Sequence, residues 1–255
     1  MIKIAKNRAY ALENLFESLT DSGAISCFEG LMGTAFADDE LTPDCCCIHL
    51  GEYLYVGGNA DSKAFLKEVF EYSIDNSLTV ITLNENIKQF ARQIYGDKCT
   101  FSTRYQMGCE LETKNSHLFN NINNLSEEFE LAKIDENIYQ QCLKNDWSEY
   151  FCKNFKNYDE FSQNAFGYAI LKNGKIVGGT SSYSYYSKGF EVIVATAPEY
   201  RRKGLALVSS SAFVLECLRV EKFPHWDAAN TKSLALSKKL GYTLFREYQG
   251  LKIEK

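Results

Sequence analysis

Leu12, Leu15, Phe16 and Leu19 recur at helical spacing after Asn7, which predicts an amphipathic helix that Asp21-Ser22-Gly23 ends. Beyond it the apolar positions come in short runs. Residues 45–50, 53–56 and 78–83 read as strands, 62–72 and 85–94 as helices, and 99–111 as a further strand. A polar stretch over 114–124, holding Ser116, Asn120, Asn121, Asn123 and Asn124, has little periodicity and is the linker candidate. It divides the chain into an N-terminal α/β domain, 1–120, and a second domain, 121–255. In the second domain 129–134 reads as a strand, 138–143 and 147–155 as short helices, and 166–171 as a strand. Asn173-Gly174 supplies the positive φ values of a two-residue turn, so 166–171 and 176–182 are expected to pair antiparallel. A strand over 190–196 follows. Leu205, Val208, Ala212, Leu215 and Leu218 then share one helical face, 223–228 reads as a strand, Leu234, Leu236 and Leu240 mark a helix, and 242–253 a last strand. Two successive α/β units of similar size leave room for a diverged internal repeat.

Composition narrows the picture. With 45% hydrophobic residues, 14% aromatic residues and three prolines in 255 positions, the chain is expected to fold rather than stay disordered. A formal charge of −5 argues against a duplex nucleic-acid binder and suits a cationic small partner. The segment Met1-Ile2-Lys3-Ile4-Ala5-Lys6 is unlike a signal peptide and no apolar run has membrane-spanning length, so a cytoplasmic protein is expected. The nine cysteines are then reduced thiols. Cys45-Cys46-Cys47 with His49 invites a metal reading. Consecutive strand residues point to opposite faces and no CxxC pair completes a site, so we expect a buried strand and no metal. His49 and His117 are read as structural.

Chemistry concentrates between Phe190 and Leu218, where a strand, a Pro198 turn and Arg201-Arg202-Lys203-Gly204-Leu205-Ala206 lead into a long helix. A helix N-terminus offers unpaired N–H groups, and Gly204 lets a phosphate approach the main chain. Alone, such a basic turn is equally a solvated loop. It is not a P-loop, and no GxGxxG follows a strand.

The same six residues resemble the R/Q-x-x-G-x-G/A pyrophosphate loop of the GNAT acetyltransferases, with Ala206 in place of the commoner second glycine. The run from Asn230 to Tyr242 resembles that family's N-x-x-A-x-x-L-Y-x-K-x-G-F signature. A narrower likeness, over residues 199–206 and 224–230, is to the branch typified by zwittermicin A resistance. The resemblance implies a mixed, mostly antiparallel sheet flanked by helices, and acetyl transfer from acetyl-CoA to a primary amine of a small molecule.

It also implies residue roles. Val194, Ala195 and Thr196 would run beside the pantetheine arm like an added strand, and an N–H there would polarise the thioester carbonyl. Main-chain amides of Arg202, Lys203, Gly204, Leu205 and Ala206, after Arg201, would bind the diphosphate. Asn230 and Ser233 would meet the pantetheine arm. Glu191 is the preferred general base; its other reading is an exposed strand residue in an ion pair. Ser237 stands where many relatives place a proton-donating Tyr and is the weaker candidate for that role. Tyr183, Tyr185 and Tyr242 are alternatives for it or ordinary aromatics. Asp227 and Trp226, with Tyr183, are candidates for an amine pocket, against a core Trp and a helix-capping Asp. Rival functions are a non-catalytic acyl-CoA sensor and an aminoacyl transferase using tRNA, which the acidic charge disfavours. A homodimer is the one protein assembly entertained.

Overall fold

Cys45, Cys46, Cys47 and Ile48 are all fully buried, as a strand covered on both faces must be, and they anchor the first of two units in the computed structural model. The structure describes residues 1–16, 21–108 and 116–255. Its units are Met1–Tyr105 with Glu247–Lys255, and Gln106–Arg246.

The first unit opens with β1 (Ile2–Lys3) and a 3-10 helix over Lys6–Leu15, then α1 (Ser22–Phe28) and β2 (Thr34–Ala37). β3 (Cys45–Leu50), β4 (Tyr53–Gly58), α2 (Lys63–Asp75), β5 (Thr79–Ile81), α3 (Glu85–Tyr95) and β6 (Cys99–Gly108) follow. β1 to β4 pair antiparallel in order, and β5 lies parallel to β4. Phe65, Leu66, Val69 and Phe70 recur along α2 at helical spacing and pack with Leu54, Val56 and Val80. Two expectations change here. The opening segment winds as a 3-10 helix that buries Leu12, while Leu19 lies outside the described residues. Asp21 starts a helix instead of ending one, because its carboxylate accepts the Gly23 N–H at 2.9 Å.

The second unit contains α4 (Ser116–Asn123), β7 (Glu130–Lys133), α5 (Glu136–Cys142), a single turn at Glu149–Phe151, and α6 (Tyr158–Asn164). Then come β8 (Gly167–Lys172), β9 (Lys175–Tyr186), β10 (Gly189–Thr196), α7 (Leu205–Arg219), β11 (Phe223–Ala228), α8 (Thr231–Lys239) and the start of β12 (Thr243–Ile253), whose residues from Glu247 onward belong to the first unit. β7 to β10 pair antiparallel and β11 runs parallel to β10. The β8–β9 turn has φ of 51° at Asn173 and 72° at Gly174, the geometry the dipeptide predicts. Phe166, Phe190, Phe213 and Cys217 form one core cluster between sheet and α7.

The polar stretch expected as a linker is helical over 116–123, where Leu118 is buried; 114 and 115 lie outside the described residues. The structural division also differs from a cut at residue 120. It stops the first unit at Tyr105 and returns Glu247–Lys255 to it. There Leu251 and Gly250 pair antiparallel with Val80 and Ile81, and Leu251 and Ile253 join the first unit's core. Element order repeats: β2-β3-β4-α2-β5-α3-β6 in the first half, β8-β9-β10-α7-β11-α8-β12 in the second. Among the described residues no helix is long and apolar enough to cross a membrane.

Candidate active site

β10 and β11 begin as a parallel ladder, with Gly189, Phe190 and Glu191 opposite Phe223, Pro224 and His225. The ladder ends there and the strands fork. β10 stays paired to β9 through Thr196, with an irregularity between Glu191 and Val192. The Ala197 N–H donates to Val177 O at 2.9 Å, so alternation turns the main-chain groups of Ala195 toward β9 and those of Val194 and Thr196 toward the open edge. An unpaired edge of this kind can accept an extended ligand as a further strand.

Glu191 sits at the crotch of the fork. Phe190 packs on Phe213 of α7, with ring centroids 6.3 Å apart, so Glu191 faces away from that helix. Its Oε1 accepts the Asp227 main-chain N–H at 3.3 Å, where a strand partner would otherwise stand. Asp227 is partly exposed, with its Oδ1 buried. The acidic residues Glu191 and Asp227 therefore come together where the two strands part, a setting that favours a cation.

The edge leads into the basic turn. Pro198–Tyr200 is a single 3-10 turn, after which Arg201, Arg202, Lys203 and Gly204 are all exposed. Arg201 Nε donates to Thr196 O at 3.2 Å, tying the turn to the end of β10. Arg202 and Gly204 have φ of 65° and 80°. Gly204 is the N-cap of α7, with no side-chain cap, and a Cβ built on it would meet nothing within 4 Å. Leu207 and Val208 donate back to Gly204 O at 2.9 and 3.2 Å, whereas the N–H groups of Leu205 and Ala206 precede the first helical bond. Leu205 itself is buried beside Val208, which fixes the helix start against the sheet. The turn thus offers outward amides, the positive end of a helix dipole and three cationic side chains to a diphosphate.

The remaining expected residues divide. Asn230 is the N-cap of α8: its Oδ1 accepts the Lys232 and Ser233 N–H groups at 3.0 Å each. Ser233 Oγ accepts the Trp226 indole N–H at 3.0 Å. Trp226 is buried and packs on Tyr242, 5.5 Å between centroids, which makes it a core residue. Ser237 is buried, and its hydroxyl donates to Leu234 O at 2.9 Å within its own helix. Tyr183 is buried at the strand irregularity, Tyr185 stacks on Phe155, and the Tyr242 hydroxyl donates to Pro224 O at 2.8 Å.

Sequence reasoning assigned no role to His225. Its Nε2 is hydrogen-bonded to the Tyr186 hydroxyl at 2.8 Å, with Phe223 edge-on at 4.7 Å. Burial lowers its pKa to about 4, so the ring beside Glu191 is neutral at pH 7. No local signal reveals the pair, since its members lie on different strands of the sheet. The Cys45–Cys47 run is a buried strand as expected, with desolvation raising all three thiol pKa values. His49 hydrogen-bonds Tyr72 at 2.8 Å. Among the described residues no group of three His, Cys, Asp or Glu is placed to hold a metal ion.

Comparison with known proteins covers nearly the whole chain. A family model described as GNAT acetyltransferase matches residues 13–251. YdfB of Bacillus subtilis (strain 168), an uncharacterized N-acetyltransferase, is 25% identical over 224 residues, 85% of this chain and 84% of that one. A GCN5-related N-acetyltransferase-like protein from Streptococcus suis 89/1591 has a TM-score of 0.90 at 28% identity, covering 98% of this chain and 100% of its own. A tandem GNAT protein from the clavulanic acid biosynthesis pathway has a TM-score of 0.59 at 10% identity, covering 98% and 97%, a likeness of fold alone.

Proposed function

The chain belongs to the GNAT acetyltransferase family, and from that premise we propose that it transfers the acetyl group of acetyl-CoA to a primary amine of a small molecule by direct attack. One observation carries the reading: the forked pair β10 and β11, with Glu191 at its crotch and the open edge of Val194 and Thr196 leading to Gly204. In this reading the amides of Arg202 through Ala206 hold the diphosphate, with Arg201 and Lys203 adding charge. The pantetheine arm lies along Val194, Ala195 and Thr196, near Asn230 and Ser233. The Val194 N–H, on the open edge, polarises the thioester carbonyl.

An alkylamine is protonated near pH 7, so attack requires loss of a proton. Glu191 takes it, directly or through a water, and Asp227 draws the cation into the fork. The amine nitrogen then bonds to the carbonyl carbon, the C–S bond breaks, the sulfur leaves as a thiolate, and the second proton that the nitrogen sheds in becoming an amide passes to water. A thiol of ordinary pKa near 8.5 departs without a dedicated acid. We therefore give Ser237 no proton to move. The sequence likeness over residues 199–206 and 224–230, together with a net charge of −5, supports an aminopolyol or similar cationic metabolite as acceptor. We read the first unit as a diverged copy of the same fold without a coenzyme turn. Its equivalent segment, Gly58-Asn59-Ala60-Asp61-Ser62, has no basic residue, and Ser62 donates to Asp38 at 2.9 Å.

A non-catalytic acyl-CoA sensor is the second reading, favoured by a buried serine where many relatives carry the acid. One experiment separates the two: free-thiol release from acetyl-CoA with polyamines, aminoglycosides and amino sugars, using the native chain and Glu191→Gln. The variant keeps an oxygen for the Asp227 N–H but loses the base. Transfer to at least one amine, reduced about 10²–10⁴-fold in kcat by the variant, is expected. Acetyl-CoA binding without release for every amine favours the sensor, and an unaltered kcat removes Glu191 from the chemistry.

A further inference from the structure

Lys172, at the end of β8, belongs to no motif of the family signature, yet its ammonium lies beside the basic turn. Its Nζ is 2.6 Å from Glu128 Oε2, and Lys203 Nζ is 4.0 Å from Oε1 of the same carboxylate. Both ammonium groups also sit over the same two rings. Lys172 is 5.5 Å from the Phe129 centroid and 5.7 Å from that of Tyr200; Lys203 is 5.6 Å from each. The rings meet edge to face, 6.1 Å apart, and Phe129 is locked into the core with Leu205 and Val208 at the start of α7.

Two cations gathered on one carboxylate repel each other, and partly exposed ion pairs add little to stability. The ring faces offset part of the repulsion. The outcome is a fixed spot of net charge +1 directly before Gly204, on a chain whose net charge is −5. Coenzyme A carries, besides its diphosphate, a phosphate monoester on the 3′ position of its ribose, with a charge of about −1.5 to −2 at pH 7. A diphosphate on the Gly204 turn brings that monoester within reach of neighbouring groups on the same face.

We propose that Lys172, together with Lys203 and held by Glu128 over the Phe129 and Tyr200 rings, is the recognition site for the 3′-phosphate of the coenzyme. The assignment rests on the coenzyme reading above. On binding, the two ammonium groups turn from Glu128 to the phosphate oxygens; Glu128 is exposed and its carboxylate returns to water. Lys172 is thus a specificity residue that separates coenzyme A from its 3′-dephospho form and has no part in the acetyl transfer itself.

Calorimetry with acetyl-CoA and acetyl-3′-dephospho-CoA on the native chain, Lys172→Gln and Lys172→Arg tests this. The native chain is expected to prefer the phosphorylated form at least about tenfold. Lys172→Gln is expected to lose most of that preference by weakening acetyl-CoA alone, and Lys172→Arg to retain it. Equal affinity of the native chain for both forms, or a Lys172→Gln variant that weakens both alike, overturns the assignment while leaving the coenzyme reading standing. A native chain that binds neither form overturns both.

Discussion

A buried neutral imidazole has a thermodynamic signature. His225 has an ordinary pKa near 6.5 when exposed, and burial lowers it to about 4 in the fold. The unfolded chain therefore binds a proton between these values that the native chain refuses, and stability must rise with pH across that window. The contribution is complete above about pH 6.5, shrinks as pH falls, and levels off below about pH 4, where the folded ring also protonates. At pH 5 the loss is on the order of 2 kcal/mol. Urea unfolding at pH 7 and pH 5, compared between the native chain and His225→Gln, is expected to show the smaller pH effect in the variant. Equal pH slopes in the two proteins would show that the ring does not titrate this way. Glu216 behaves in the same sense at lower pH: hydrogen bonds from Arg219 and Lys133 lower its pKa to about 2, so its stabilisation is complete above the usual carboxylate range and is lost as pH falls through that range toward about 2.

In the proposed mechanism the start of α7 is the element on which function depends most. Gly204 combines a φ of 80° with empty space above its Cα, so strain and access separate experimentally. Gly204→Ala costs about 1 kcal/mol of stability from the left-handed backbone and touches nothing. Gly204→Glu adds to that strain a charge facing the diphosphate. Loss of acetyl-CoA binding by calorimetry in the Glu variant, with most of it kept in the Ala variant, is expected; retained affinity in Gly204→Glu contradicts the turn's role. Elements written in local chemistry were legible in advance. The Asn173-Gly174 hairpin, the apolar face of α7 and the strand that carries Glu191 all follow from residues near one another in sequence. The coenzyme role proposed for the turn comes only from the family resemblance, since a basic loop before a helix has bland readings too. Illegible features were non-local or two-faced. Polar residues over 116–123 read as a linker although Leu118 fixes a helix, and Ser237 was placed on the right helix with its hydroxyl turned inward to Leu234. The His225–Tyr186 pair exists only because separate strands bring the two together.

Across the whole molecule, each unit has its own core, but the first draws part of its core from the far end of the chain. Leu251 is fully buried among Leu54, Val80 and Ile87, and β12 covers the edge of β5. A fragment of residues 1–105 is therefore expected to lack a cooperative unfolding transition, because an open strand edge and an unfilled core remain. Circular dichroism with urea checks it; a sharp transition like that of the full chain would show the first unit self-sufficient.

The return of β12 also sets an order of events during synthesis. Residues 106–246 leave the ribosome before 247–253 do, so the half made first is finished last. Until the final strand arrives, β5 offers its bare side to whatever strand is near, including the late-made tail of a neighbouring nascent copy. Crowded polysomes are the place where two such chains would trade tails.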